Sequence, residues 1–121
     1  MENSTIIVFA LVLIALGFVR RYLSAAKAAP PETVRSHLDR GALLVDVRSP
    51  EEFAADHYPE ARNIPLTLIA QRTGELGGRE DPLVLYCNTG RRSALALGQL
   101  RKLGFRNAVN AGGLERLRAI P

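Results

Sequence analysis

Residues 6–19, IIVFALVLIALGFV, are apolar throughout except for Gly17. A helix with no polar face needs lipid or the interior of a large protein around it. The domain that follows, residues 32–121, is too small to enclose it, so a core helix is the weakest of three readings. A membrane anchor is the first. The apolar run alone covers about 21 Å of a ~30 Å hydrocarbon core. Ser4, Thr5 and the snorkelling stems of Arg20 and Arg21 lengthen it to a single span over residues 4–22, with Tyr22 at the interface. An export signal is the second. The length fits, and Ala26-Lys27-Ala28 resembles a small-residue cleavage site. Against it, the opening MENST carries Glu2 and no basic residue, while the basic pair follows the apolar run. Arginines after the span put the domain in the cytoplasm, whereas export would put it in the periplasm.

The expected organisation is therefore an anchor or signal-like segment over residues 1–23, a linker over 24–31 (SAAKAAPP) and one domain over 32–121. Of the 121 residues, 47% are hydrophobic and 23% charged, which suits a single small core. One cysteine cannot make an intramolecular disulfide. Residues 1–29 hold three basic groups and one acid, and the remainder thirteen and eleven. With no basic face, seven aromatics and no tryptophan, the chain is not expected to bind nucleic acid.

Within the domain, strand and helix signals alternate. PPETVRSHLDRG opens on prolines and stops at Gly41, as a helix does. ALLVDV (42–47) reads as a strand buried on both faces. Ser49, Pro50 and Glu52 form a complete capping box for a helix. ARNIPL (61–66) reads as a short strand stopped by Pro65, and TLIAQRTGEL as a weaker helix. PLVLYC (82–87) is the second buried strand, followed by a helix over 93–104. NAVNAGG is a last strand, and LERLRAI a terminal helix. This order predicts an α/β fold, a small parallel sheet with helices on both faces.

LVLYCNTGRRS (83–93) brings the lone cysteine to the carboxyl end of a strand, where open α/β sheets bind ligands. Free N–H groups at the following helix start favour the thiolate of Cys87 and lower its pKa. Gly90 permits a turn whose N–H groups converge, and Arg91 and Arg92 add fork-shaped donors for an oxyanion. A buried, inert cysteine is the alternative. His37 and His57 lie too far apart to form a zinc site with it. His57, in a turn, reads as structural, because a pre-formed thiolate needs no base.

Three stretches in this order resemble the single-domain rhodanese (sulfurtransferase) modules: LLVDVRSPEEFAADH, ARNIPL, and VLYCNTGRRSALAL with GFRNAVNAGG. The likeness runs from about Thr33 to Leu117, and the ending NAGGLERL is more like the short, periplasmic-type branch. The resemblance implies a three-layer rhodanese-like domain and a ping-pong sulfur transfer with no metal or other cofactor. Cys87 would take sulfur from thiosulfate or a low-molecular-weight persulfide and pass it to a thiol or to cyanide. Asn88, Thr89, Gly90, Arg91, Arg92 and Ser93 would cradle the persulfide, with Arg92 closing the cradle. Asp46 and Arg48 match a strand-end pair of structural role, and Glu52 completes a cap. A rhodanese-fold binding or sulfur-carrier module without catalysis is the alternative.

Rhodanese-fold phosphatases have five residues between cysteine and arginine. Here Arg92 follows after four, which sizes the cradle for sulfur and crowds a phosphate. Two positions depart from the family. Glu60 stands where glycine is usual, and Asn88 where arginine is frequent.

Overall fold

The computed structural model describes residues 2–121, and of residues 21–26 the backbone alone. The interfacial roles expected of the Arg21 and Tyr22 side chains lie outside the described residues. Four parallel strands form one sheet in the order β2 (Arg62–Asn63), β1 (Leu43–Asp46), β3 (Leu83–Cys87), β4 (Ala108–Gly113). Both neighbours of a central strand are parallel only if helices cross over the faces, so both faces are covered and the two central strands read as nearly continuous apolar runs. In β3 every residue is buried. Leu83, Leu85 and Cys87 point to one face, where α5 (Arg91–Lys102) contributes Ala96, Leu97 and Leu100. Val84 and Tyr86 point to the other, against Val34 of α2 (Pro31–Asp39) and Leu114 and Leu117 of α6 (Leu114–Arg118). The result is the expected three-layer α/β domain.

The chain leaves β1 towards β2 on one side, crosses back to β3 on the other and continues outward to β4. The carboxyl ends of β1 and β3 therefore diverge side by side, which opens the crevice where such sheets place ligands. Asp46 pairs with Tyr86 in register at that edge. The capping box forms as read: the Ser49 hydroxyl accepts the Glu52 N–H at 3.2 Å, and the Glu52 carboxylate accepts the Ser49 N–H at 3.3 Å, starting α3 (Pro50–Ala55).

Three elements differ from expectation. Residues 67–76 form no continuous helix, only α4 (Leu66–Ile69) and a 3-10 turn over Thr73–Glu75. Ile69 and Leu76 enter the core as separate plugs, with Gly74 between them. The second strand shrinks to two residues, because Pro65 has no N–H for the ladder. The long helix begins at Arg91 rather than Ser93, capped by Gly90 at φ +94°.

α1 (Glu2–Ala26) runs for 25 residues, about 37 Å. Its residues 2–20 are all exposed to solvent, with Ile6, Phe9 and Phe18 more than half so. That is the reverse of a core helix. The segment after it is docked: the Ala29 N–H donates to the Asn110 carbonyl at 2.7 Å, and the Arg116 guanidinium donates to the carbonyls of Ala29 and Ala111, both at 2.9 Å.

Glu60 sits at φ +69°, the one left-handed non-glycine among the described residues. That conformation costs an L-residue with a side chain roughly 1–2 kcal/mol and costs glycine almost nothing, which explains why glycine is usual here. Glu60→Gly should stabilise the domain by about 1 kcal/mol, a Tm rise of about 4–8 °C in thermal unfolding. An unchanged or lower Tm would mean that the Glu60 side chain offsets its own strain.

Candidate active site

Cys87 ends β3, and four residues later the chain is already in the first turn of α5. The reversal is made by Gly90. A Cβ there would crowd Gly112 at 3.2 Å, on top of the positive φ. On the other side β4 passes directly under the loop. A Cβ on Gly113 would overlap the carbonyl oxygen of Asn88, so the double glycine is what lets strand and loop touch. The β3–β4 register shifts between Leu85 and Cys87, bringing Cys87 opposite Gly113.

The sulfur lies inside this turn. The Gly90 N–H donates to Cys87 Sγ at 2.9 Å, and Ser93 Oγ lies 3.3 Å away. The side chain is wholly enclosed. Burial pushes the thiol up, but hydrogen bonds from the Ser93 side chain and from the N–H groups of Ser93, Thr89 and Gly90 outweigh it, and the thiol sits below its ordinary value. Convergent donors around a sulfur anion are the arrangement that makes a cysteine nucleophilic. Asn88, Thr89 and Arg91 form the exposed outer side of the loop, where a cavity of about 430 Å³ lies between the loop, α6 and Ala28 of the docked segment. Among the described residues, no three His, Cys, Asp or Glu side chains gather to hold a metal ion.

The arginine expected to close the cradle is engaged elsewhere. Arg92 makes a two-pronged bond to Glu52, Nη1 to Oε1 at 2.6 Å and Nη2 to Oε2 at 3.0 Å. Glu52 thus does more than cap α3: it clamps the start of α3 to the start of α5. Asp46 and Arg48 form a buried pair. Arg48 donates from Nε to Oδ1 at 3.0 Å and from Nη2 to Oδ2 at 2.8 Å, and from Nη2 to the Asp56 carbonyl. Asn63 Nδ2 donates to the Asp46 and Arg48 carbonyls, both at 3.0 Å, tying the end of β2 to the exit of β1. His57 is exposed, stacked on Phe53 and bonded to its carbonyl, away from the sulfur's partners.

One residue escaped the sequence reading. Asn110, buried in β4, reaches across to the loop: Oδ1 accepts from Ser93 Oγ at 2.7 Å and from the Gly112 N–H at 2.8 Å, and Nδ2 donates to the Gly90 carbonyl at 3.2 Å. Its only signal in the sequence is an amide inside a strand of small apolar residues, where an unsatisfied polar group would be costly.

The Arg92 guanidinium, then Ser49, pull the Glu52 carboxyl from 4.5 down to about 2 against the opposing effect of burial. A lowered carboxylate value gives stability that is present above the unfolded value and lost as pH falls through the folded one. Urea unfolding of wild type and Glu52→Gln should therefore show a gap at pH 6 that closes between about pH 4.5 and 2. A gap that stays constant across that window would remove the charge from the explanation.

Residues 30–119 match the rhodanese-like domain family. Over 74 residues the chain is 43% identical to an uncharacterised Bacillus subtilis protein, YqhL, covering 61% of this chain and 58% of that one. Over 72 residues it is 38% identical to the Escherichia coli thiosulfate sulfurtransferase PspE, covering 59% of this chain and 69% of that one. The match to YqhL thus spans less than two thirds of that relative. Among solved structures, the human single-domain sulfurtransferase TSTD1 superposes with a TM-score of 0.64 at 33% identity, over 75% of this chain and 93% of that one. With its sheet order, its strand-end loop and this match over most of its length, the chain belongs to the rhodanese-like domain family.

Proposed function

We infer that the chain is a rhodanese-type sulfurtransferase whose Cys87 carries the transferred sulfur. The observation that bears most weight is the sulfur of Cys87 held by convergent donors in a loop with only four residues between it and Arg92. The Cys87 thiolate attacks the outer sulfur of thiosulfate. The S–S bond of thiosulfate breaks, its electron pair leaves on sulfite, and Cys87 becomes a persulfide anion. A thiolate or cyanide then attacks the outer sulfur, and the electron pair returns to Cys87. A low-molecular-weight persulfide serves as donor in the same way, with a thiolate leaving. The N–H groups of Thr89, Gly90 and Ser93 are placed to stabilise either sulfur anion, and Asn88, Arg91 and the nearby cavity face the incoming donor. Arg92 acts at one remove, by fixing the loop through Glu52. The kinship with a relative named thiosulfate sulfurtransferase supports the same donor class.

The full chain in detergent, incubated with thiosulfate, should gain one sulfur on Cys87 by mass spectrometry and release thiocyanate on adding cyanide. Cys87→Ser should do neither. Absence of the added sulfur with both thiosulfate and glutathione persulfide would leave a binding module instead of an enzyme.

We further propose that α1 anchors the domain in a membrane as a single span, with the domain on the cytoplasmic side. Support comes from the apolar window Glu2–Arg20, which is unburied, and from a helix longer than a ~30 Å bilayer core. Arg20 and Arg21 at its carboxyl side set the orientation. A reporter fused after Pro121 should be active only if of the cytoplasmic type, and the chain should keep its full mass. A periplasmic-type signal together with cleavage near Ala28 would establish export instead.

A further inference from the structure

The hydroxyl of Ser93 has two partners and one hydrogen. Its Oγ lies 2.7 Å from Asn110 Oδ1 and 3.3 Å from Cys87 Sγ. The amide of Asn110 can be oriented in only one way. Oδ1 meets the Gly112 N–H and Nδ2 meets the Gly90 carbonyl, and reversing the amide would set donor against donor and acceptor against acceptor. An amide oxygen has no hydrogen to give, so across the 2.7 Å contact the serine is the donor. While it donates there, it offers Cys87 only lone pairs, which suit a thiol S–H. A sulfur anion has no hydrogen and calls for donors. Turning the hydroxyl to Sγ then costs little at Asn110, because Oδ1 keeps the Gly112 N–H.

We propose that Asn110 is a positioning residue for Cys87: it holds the Ser93 hydrogen while the sulfur is protonated and yields it when the sulfur becomes anionic. It acts through Ser93, and it sets the balance between thiol and thiolate by favouring the thiol. Charged groups on the surrounding elements do not substitute for this switch. Asp46 and Arg48 at the end of β1 pair with each other, as do Glu52 of α3 and Arg92 of α5. Arg91 of α5 is exposed, Arg116 of α6 is bonded to the carbonyls of Ala29 and Ala111, and Glu115 pairs with Arg118. The hydrogen bonds that favour the anionic sulfur come from Ser93, Thr89 and Gly90.

This deepens the sulfurtransfer reading and takes its purpose from it, yet the test reads only the proton on Cys87. The thiolate absorbance of the full chain in detergent is titrated against pH, with Cys87→Ser as the blank, which a chain with one cysteine makes clean. Ser93→Ala should raise the midpoint by about 0.5–1 pH unit, a three- to tenfold loss of thiolate at fixed pH. Asn110→Leu should lower the midpoint by about half a unit when Ser93 is present, and leave it unmoved in the Ser93→Ala background. A purely structural amide predicts the opposite: a loosened loop loses its N–H donors and the midpoint rises in both backgrounds. That result, or an equal shift with and without Ser93, overturns the proposal. If Asn110→Leu does not fold, Asn110→Asp keeps the acceptor and strengthens it. Its midpoint should rise more with Ser93 present than in Ser93→Ala, and an equal rise overturns the proposal as well.

Discussion

The close passage of β4 beneath the loop after β3 is the constraint on which the site depends. Gly112 and Gly113 leave no side chain between the two backbones, so loop and strand are in direct contact. The contact brings Asn110 within reach of Ser93 and Gly90. It also confines the Asn88–Gly90 turn, so that its N–H groups converge on one atom instead of facing water. A parallel sheet built on nearly continuous apolar central strands supplies the rigid edge, and the divergence of β1 and β3 supplies the space.

Two opposing effects meet at Cys87, and their order decides its chemistry. Enclosure by the core disfavours a charged sulfur, and in an apolar site without donors that would leave an inert thiol. Here the same enclosure excludes water from the turn, which strengthens the hydrogen bonds that remain. Arg92, five residues beyond the cysteine, contributes through architecture: it is bound to Glu52 and holds two helix starts together. Neutral dipoles, not a paired cation, surround the sulfur.

The sheet, the capping box at Ser49 and the strand-end loop were legible because each is written in neighbouring residues. A run such as LVLYC has one stable placement in a small α/β domain, and Ser49-Pro50-Glu51-Glu52 has one local hydrogen-bond solution. What could not be read were partnerships between distant segments. Glu52 satisfies its cap and then binds Arg92, forty residues away. Asn110 lies in a stretch whose periodicity speaks only of packing, and its partners are seventeen and twenty residues away. The helix expected over residues 67–76 failed for a related reason. Ile69 and Leu76 are pulled separately into the core, and tertiary packing overrides a weak local preference. Glu60 falls between these cases: the departure from glycine was visible, and the backbone angle that gives it meaning was not.

The bond from Ala29 to Asn110 changes how the domain is joined to α1. Residues 24–31 look like a free tether that could stretch about 27 Å and let the domain sweep a wide shell. Instead α1 continues to Ala26, and by Ala29 the chain is already fixed to β4, which leaves Lys27 and Ala28 as the slack. Search volume scales with the cube of reach, so a leash this short turns a diffuse encounter into a local address. Anything held at the end of α1 meets the side of the domain that carries the Asn88–Arg91 loop, at an effective concentration set by two residues instead of eight.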